Sequence, residues 1–369
     1  MSQASFHPLT IASITPETDQ AVTVAFAVGE ELAEDFRYRA GQYLTLKFVV
    51  NGKEERRAYS MCSAPHDDQL AVTVKRVKGG TVSNHIADAL KAGDAVEVMP
   101  PQGRFLVKPD HNARRDYYLF GAGSGITPLM SILRTLLEEE PKSHVYLLYG
   151  NRDEDNIIFH DQLNDLARRY EGQLTVEHTL SRPKKEKAGG LRGFFGGGKT
   201  TWEGKIGRID IRAVQQFIGA NPGKVDAKQY YICGPGQMID NVEQALLGLG
   251  VLKENIHAER FVSANDVKKA APVEGEVKGA KVFAKLGGKE HEVDLKPGQT
   301  ILDGLLESGA TPPYSCLAGA CSTCMAKVDK GGVKMEVCFA IDDDEIAAGY
   351  ILACQSHPTT EEVRVDFDV

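Results

Sequence analysis

The stretch PYSCLAGACSTCMAKV, Pro313–Val328, sets three cysteines at the spacing Cys316-x4-Cys321-x2-Cys324, and a fourth, Cys354, follows in ILACQ. This is the plant-type spacing for a [2Fe–2S] cluster, in which four thiolates hold two irons. A loop carrying three of them must bend tightly, and Gly319 with the small Ala318, Ala320 and Ser322 permits the bend. It also leaves backbone N–H groups free to approach the sulfurs, and such contacts tune a cluster's potential. A four-cysteine zinc site and unligated buried cysteines are the alternatives; zinc sites usually pair one CxxC with another, and only one such pair is present here.

Outward from that loop, the chain of 369 residues is too long for one ordinary core. Two short strands, AKVFAKL and KEHEVDL, and a helix, ILDGLLESG, precede the cysteines, so residues 280–369 read as one small α+β unit. Before it lies SANDVKKAAPVEGEVKGA, with little to bury, and residues 263–279 read as a linker. Residues 1–110 alternate short β runs with turn signals such as Asn51-Gly52, which suggests a small antiparallel barrel interrupted by a helix near Asn84–Lys91. In residues 111–262 the near-continuous apolar runs DYYLFGAG, SHVYLLYG, QLTVEHTL and KQYYICG alternate with helical stretches. That pattern implies an open α/β parallel sheet covered on both faces.

Composition excludes other classes. A formal net charge of -8 argues against a nucleic-acid binder. No run of 18 residues lacks a charge, so no membrane span is expected, and the first residues show neither a basic leader nor an apolar stretch. A cytoplasmic protein is the expectation, and clustered cysteines in a reducing compartment point to metal or catalysis rather than disulfides.

Three further motifs carry chemistry. Arg57-Ala58-Tyr59-Ser60, at the end of the third strand expected in the β-rich region, offers a cation, a flat aromatic face and two hydroxyls. About 20 residues on, KGGTVSNHI places glycines and a serine at a helix start, where free N–H groups suit a pyrophosphate. LFGAGSGITPLMSIL runs a buried strand into Gly121-Ala122-Gly123-Ser124-Gly125 and then a helix, and YICGPGQM repeats the strand–glycine–helix turn later in the sheet. Two such turns at strand carboxyl ends frame a cleft.

Together these residues resemble the ferredoxin–NADP reductase superfamily with a carboxyl-terminal plant-type ferredoxin domain, over essentially the whole chain. The resemblance implies a multidomain protein: an antiparallel β-barrel for FAD, an open parallel α/β sheet for NAD(P), and a β-grasp ferredoxin domain. It implies that Arg57, Ala58, Tyr59, Ser60, Val74, Lys75, Gly80, Val82 and Ser83 hold FAD. It puts the nicotinamide dinucleotide on Gly121, Gly123, Ser124, Gly125 and Thr127, with Cys233, Gly234 and Pro235 beside the nicotinamide. Glu259 and Phe261 would reach the flavin, and Ser60, Cys233 and Glu259 would serve the chemistry. Cys316, Cys321, Cys324 and Cys354 would bind the [2Fe–2S] cluster.

Within the superfamily, FHPLTIASI, LKFVVNGKEERRAYSMCSAP and the tail from Asp342 are similar to the phenylacetyl-CoA epoxidase reductases of phenylacetate catabolism, while reductases of ketosteroid hydroxylases share the domain order. The resemblance implies an NAD(P)H-dependent oxidoreductase whose partner is an oxygenase or epoxidase component; a stand-alone NAD(P)H oxidoreductase is the other outcome of this architecture. Ser181 and Arg182 in TLSRP, with Arg152, favour NADPH, and NADH stays open.

Other features compete for attention. GFFGGGKT, Gly193–Thr200, fits the phosphate-loop pattern letter for letter, yet SRPKKEKAGGLR before it is no strand and Gly204 and Gly207 after it oppose a helix. It reads as a basic, glycine-rich insertion near the 2′-phosphate pocket, with Lys199 as a candidate contact. His160 and His178 read as surface or packing residues, Cys62 and Cys338 receive no role, and Asp342–Glu345 reads as a helix start or a dock for a basic partner.

Overall fold

The computed structural model describes residues 5–185, 200–262, 277 and 279–369. The first unit is a six-stranded antiparallel sheet of β1 (His7–Thr18), β2 (Ala21–Ala27), β3 (Tyr43–Val50), β4 (Lys53–Ser60), β5 (Leu70–Lys75) and β6 (Ala95–Gln102), in the order β4-β3-β6-β1-β2-β5. Its two edges meet, because Met61 bridges Val72 and the Cys62 N–H donates to the Ala71 carbonyl at 2.9 Å, so the sheet closes into a barrel. Alternation along the strands turns Val24, Phe26, Leu44, Leu46, Val72 and Val74 into the barrel core. The Arg57–Ser60 motif therefore ends the fourth strand, not the third. The expected third-strand placement missed β1, whose alternation of apolar and polar residues gives no continuous hydrophobic run. Helix α1 (Thr81–Ala89) starts three residues before the expected Asn84, directly after Gly80.

The second unit is an all-parallel sheet of β7 (Asp116–Ala122), β8 (His144–Asn151), β9 (Leu174–Leu180), β10 (Lys205–Ile206), β11 (Lys228–Gly234) and β12 (Ile256–Arg260), ordered β10-β9-β8-β7-β11-β12. Helices α2 (Ile126–Glu139), α3 (His160–Arg169), α4 (Ile211–Ala220) and α5 (Gly236–Gly248) supply the crossovers. Two hydrophobic clusters form on the sheet, one around Leu119, Leu133 and Leu147 and one around Phe120, Phe217 and Ile232. The chain reverses direction across the sheet between β8 and β11, on either side of β7, which places a switch point at the two glycine turns.

The third unit joins β13 (Ala280–Leu286), β14 (Lys289–Leu295), β15 (Met325–Lys330), β17 (Tyr350–Leu352) and β19 (Glu362–Asp366) in the order β14-β13-β19-β15-β17, with β13 and β19 parallel. A two-stranded ribbon, β16 (Val333–Met335) and β18 (Ser356–Pro358), lies beside it. Helix α6 (Ile301–Glu307) buries Ile301, Leu302 and Leu305, and a Thr300–Asp303 capping box fixes its start. The stretch expected to be a linker lies outside the described residues apart from Val277 and Gly279, and so does the GFFGGGKT match, including Lys199, apart from Thr200.

Asp342–Glu345 proves to be a helix start and a contact at once. Asp342 caps α7 (Asp343–Ala347) in a second capping box, and Glu345 also pairs with Arg104 of the barrel unit. Among the described residues no helix is long and apolar enough to cross a membrane.

Candidate functional site

The barrel edge, the first turn of α1, the end of β12 and the cysteine loop meet around one cleft of about 330 Å³. β3 and β4 pair with Tyr43 opposite Ser60 and Leu44 opposite Tyr59, which turns the Arg57–Ser60 segment to the cleft. Of the residues expected to hold FAD, Arg57, Ala58, Tyr59, Ser60, Lys75, Gly80, Val82 and Ser83 line it. Val74 does not, because its side chain is fully buried in the barrel core. Gly80 precedes α1 without a side-chain cap, so the first-turn N–H groups stay free for a ligand. A Cβ at Gly80 would approach Ser83 Oγ to 2.7 Å, and that oxygen already accepts from the Val77 N–H at 3.1 Å. Cationic Arg57 and Lys75, free helix amides and the faces of Tyr59 and Phe261 suit a diphosphate bearing a planar ring.

On the opposite wall, β12 lies parallel to β11 with Glu259 in register with Cys233. The Ser60 hydroxyl donates to Glu259 Oε2 at 3.1 Å, joining the two units across the cleft. Burial pushes the Glu259 carboxyl up to about 8, against the downward pull of the Ser60 hydrogen bond. Phe261 remains 39% exposed at the cleft mouth. Cys233 is fully buried in the sheet core and does not line the cleft, and burial raises its thiol pKa first, with Glu259 adding to the rise.

The glycine turn after β7 places Ser124 and Thr127 in the cleft wall, while Gly121, Gly123 and Gly125 do not line it. Gly125 has a steric reason: a Cβ there would sit 2.0 Å from the Cys233 carbonyl oxygen, so only glycine lets this turn pack on the end of β11, next to Gly234 and Pro235. Gly123 takes φ +55, and the Lys75 ammonium lies 3.5 Å from where its Cβ would be. Lys75 thus faces the glycine turn after β7 as well as the barrel cleft. Its pKa is lowered by burial and then by Arg152.

Ser181 and Arg182 do not reach this cleft. They extend β9, with the Ser181 N–H on the Asn151 carbonyl at 3.0 Å and the Arg182 N–H on the Arg152 carbonyl at 2.7 Å, so the two arginines sit on adjacent strand ends. His178 packs among Tyr149, His160 and Trp202, and burial lowers its pKa to about 4. Cys62 is buried and accepts from Thr73 Oγ1 at 3.2 Å.

Cys316, Cys321, Cys324 and Cys354 are free thiols gathered at one end of the third unit. The loop bends as its sequence requires: Leu317 and Gly319 take φ 56 and φ 66, and a Cβ on Gly319 would come 2.9 Å from the Val337 carbonyl. The Ala318 N–H lies on the Cys316 sulfur at 3.4 Å, and the Gln355 amide on the Cys354 sulfur at 3.7 Å. Cys316 neighbours Cys321 and Cys354, and Cys354 neighbours Cys324. Four thiols brought side by side in this way, three of them at the plant-type spacing, fit a binuclear iron–sulfur centre.

Sequence reasoning missed Tyr43 and Arg260. Cys316, Ala320, Cys321 and Tyr43 line the same cleft as Tyr59 and Ser60, so the cysteine loop closes the cleft from the third unit. The third unit is held there by Arg56 stacked on Tyr314 at 4.0 Å, by Arg260 over Phe339 at 5.5 Å and by the Arg104–Glu345 pair.

Comparison with known proteins gives three family matches: an oxidoreductase FAD-binding domain over residues 9–106, an oxidoreductase NAD-binding domain over 119–244, and a 2Fe-2S iron-sulfur cluster binding domain over 284–359. The chain is 38% identical to a component of the 1,2-phenylacetyl-CoA epoxidase of Escherichia coli (strain K12), across 99% of this chain and 98% of that one. It is 36% identical to the 3-ketosteroid-9-alpha-monooxygenase ferredoxin reductase component of Rhodococcus rhodochrous, across 97% and 96%. Phthalate dioxygenase reductase shares the fold, with a TM-score of 0.58 and 23% identity across 98% of both chains. The cofactors are thus FAD, a nicotinamide dinucleotide and a 2Fe-2S cluster, and the zinc alternative falls away.

Proposed function

This chain belongs to the oxygenase-associated reductases built from FAD-, NAD- and 2Fe-2S-binding domains, and from that premise we propose that it passes electrons from NADPH to a phenylacetyl-CoA epoxidase. The observation that carries the reading is the single cleft in which Arg57–Ser60, the first turn of α1, Glu259 and the loop of Cys316 and Cys321 face one another. When bound, FAD and the [2Fe–2S] cluster supply the conversion of a two-electron hydride into single electrons.

The residues do the rest. Arg57 and the free N–H groups after Gly80 bind the FAD diphosphate, Tyr59 offers its ring to the flavin, and Phe261 shields the cleft mouth. Ser124, Thr127 and the amides of the glycine turn bind the pyrophosphate of NADPH, with Lys75 reaching in from the barrel. Glu259 keeps its proton on the carboxyl at neutral pH, and Ser60 orients that carboxyl across the cleft. Arg152 and Arg182, on adjacent strand ends, hold the 2′-phosphate. Cys316, Cys321, Cys324 and Cys354 hold the cluster. Replacing Arg182 by alanine raises the KM for NADPH about tenfold while leaving that for NADH within about twofold.

The acceptor rests on identity over the full length to the epoxidase component, 38% against 36% for the ketosteroid reductase. Reconstitution with a phenylacetyl-CoA epoxidase, scoring NADPH-dependent epoxide, tests it. Epoxide formed only with this chain present is the expected result. No epoxide, together with turnover of a 3-ketosteroid monooxygenase, assigns the acceptor to the second relative's class.

A further inference from the structure

Tyr43 ends a path between two units that the chemistry above does not use. Its ring is 5% exposed and backs onto Gly103, where φ +113 admits glycine and a Cβ would come 2.9 Å from the ring. Its hydroxyl lies 2.8 Å from Thr323 Oγ1, a contact between residues 280 positions apart. Thr323 sits between Cys321 and Cys324, is 8% exposed, and bonds on its other side with the Cys321 sulfur. Tyr43–Thr323–Cys321 is therefore a hydrogen-bonded chain from the barrel wall to a cluster ligand.

A threonine hydroxyl carries one proton and two acceptor sites, so what it receives decides what it can give. A ligating thiolate can only accept, so a hydroxyl lying between it and a phenol gives its one proton to the sulfur and takes the phenol's. Tyr43 therefore donates to Thr323 Oγ1, and the threonine's proton is left for the sulfur. A hydrogen bond onto a ligating sulfur stabilises the more negative, reduced cluster, and donors in series strengthen one another.

We propose that Tyr43 is a positioning residue that couples docking of the C-terminal unit to the electron affinity of its cluster, by turning the Thr323 proton onto the Cys321 sulfur only while that unit is docked on the barrel. The step concerned adds one electron to the cluster; no bond forms or breaks and no proton moves. Docked, the cluster fills more readily. Released from Tyr43, with the threonine hydroxyl turned to water, it holds its electron less tightly and gives it to the acceptor more readily. The inference rests on the assignment of the four cysteines to the cluster.

The test is the cluster's midpoint potential in the full-length holoenzyme, from a redox titration followed by electron paramagnetic resonance. Tyr43→Phe keeps the ring that fills the space against Gly103 and removes only the hydroxyl. It is expected to lower the potential by an amount equivalent to about threefold or more in the one-electron equilibrium, where 59 mV is tenfold. Thr323→Val is expected to lower it further, Tyr43→Phe in that background to add nothing, and Thr323→Ser to restore the wild-type value. An unmoved potential in Tyr43→Phe, or shifts of the two substitutions that simply add, overturns the inference. A wild-type holoenzyme with no [2Fe–2S] resonance overturns the cysteine assignment itself, a separate failure.

Discussion

Two shielded carboxylates of the parallel-sheet unit, Glu140 and Glu259, meet opposite fates. Glu140, at the end of α2, is 0% exposed, and several donors converge on its oxygens: Ser143 Oγ at 2.6 Å, the Asp110 N–H at 3.0 Å and the Arg115 guanidinium at 3.3 Å, with the Tyr117 hydroxyl spanning both oxygens at 3.1 Å. Among the described residues Glu259 receives one hydrogen bond, from Ser60, and it faces the cleft. A saturated carboxylate ties loops and helix ends together; an under-partnered one keeps a proton it can release near neutral pH.

That contrast can be broken in four ways. Glu140→Ala strands several buried donors at once and costs about 3–5 kcal/mol of stability, read from denaturant unfolding, while turnover per folded molecule stays within about twofold. Glu259→Gln reverses the pattern: NADPH-driven acceptor reduction falls about 100-fold, and the unfolding midpoint does not drop. Ser60→Ala removes the hydrogen bond holding the Glu259 pKa down, so activity falls about tenfold and the alkaline limb of the pH profile moves upward. The smallest effect is on stability against pH. The Glu259 carboxyl ionises near 4.5 when unfolded and near 8 when folded, so between those values the folded state binds more protons. Its stabilising contribution is present below about 4.5 and is lost as pH rises to about 8, and Glu259→Gln flattens this decline of stability with pH.

Glu259 and Glu140 also mark what the sequence could and could not reveal. Glu259 was legible because it sits in ERF at the end of a strand, within a family pattern; nothing in LEEEP distinguishes Glu140 from Glu138 and Glu139, since the donors that single it out come from separate loops. The cysteine loop, the Arg57–Ser60 motif and the glycine turns were legible because each is a local backbone demand written in adjacent residues. Helix α4 was missed: Asp210 marks its start by accepting from the Ala213 N–H, but Gly204 and Gly207 just upstream obscure it. Barrel closure through Met61 and Val72 and the Tyr43–Thr323 contact depend on tertiary packing and leave no local trace. GFFGGGKT shows the converse: a complete local pattern means little without a strand leading into it.

The central claim is that one cleft joins the FAD, NAD and 2Fe-2S chemistries. The most direct measurement is an anaerobic NADPH titration of the purified holoenzyme, followed by absorption and electron paramagnetic resonance. The account predicts that NADPH bleaches the flavin bands and raises a reduced [2Fe–2S] signal in the same protein, with Cys321→Ser losing the cluster signal and keeping flavin reduction. Flavin and cluster bands that neither NADPH nor NADH bleaches would contradict it.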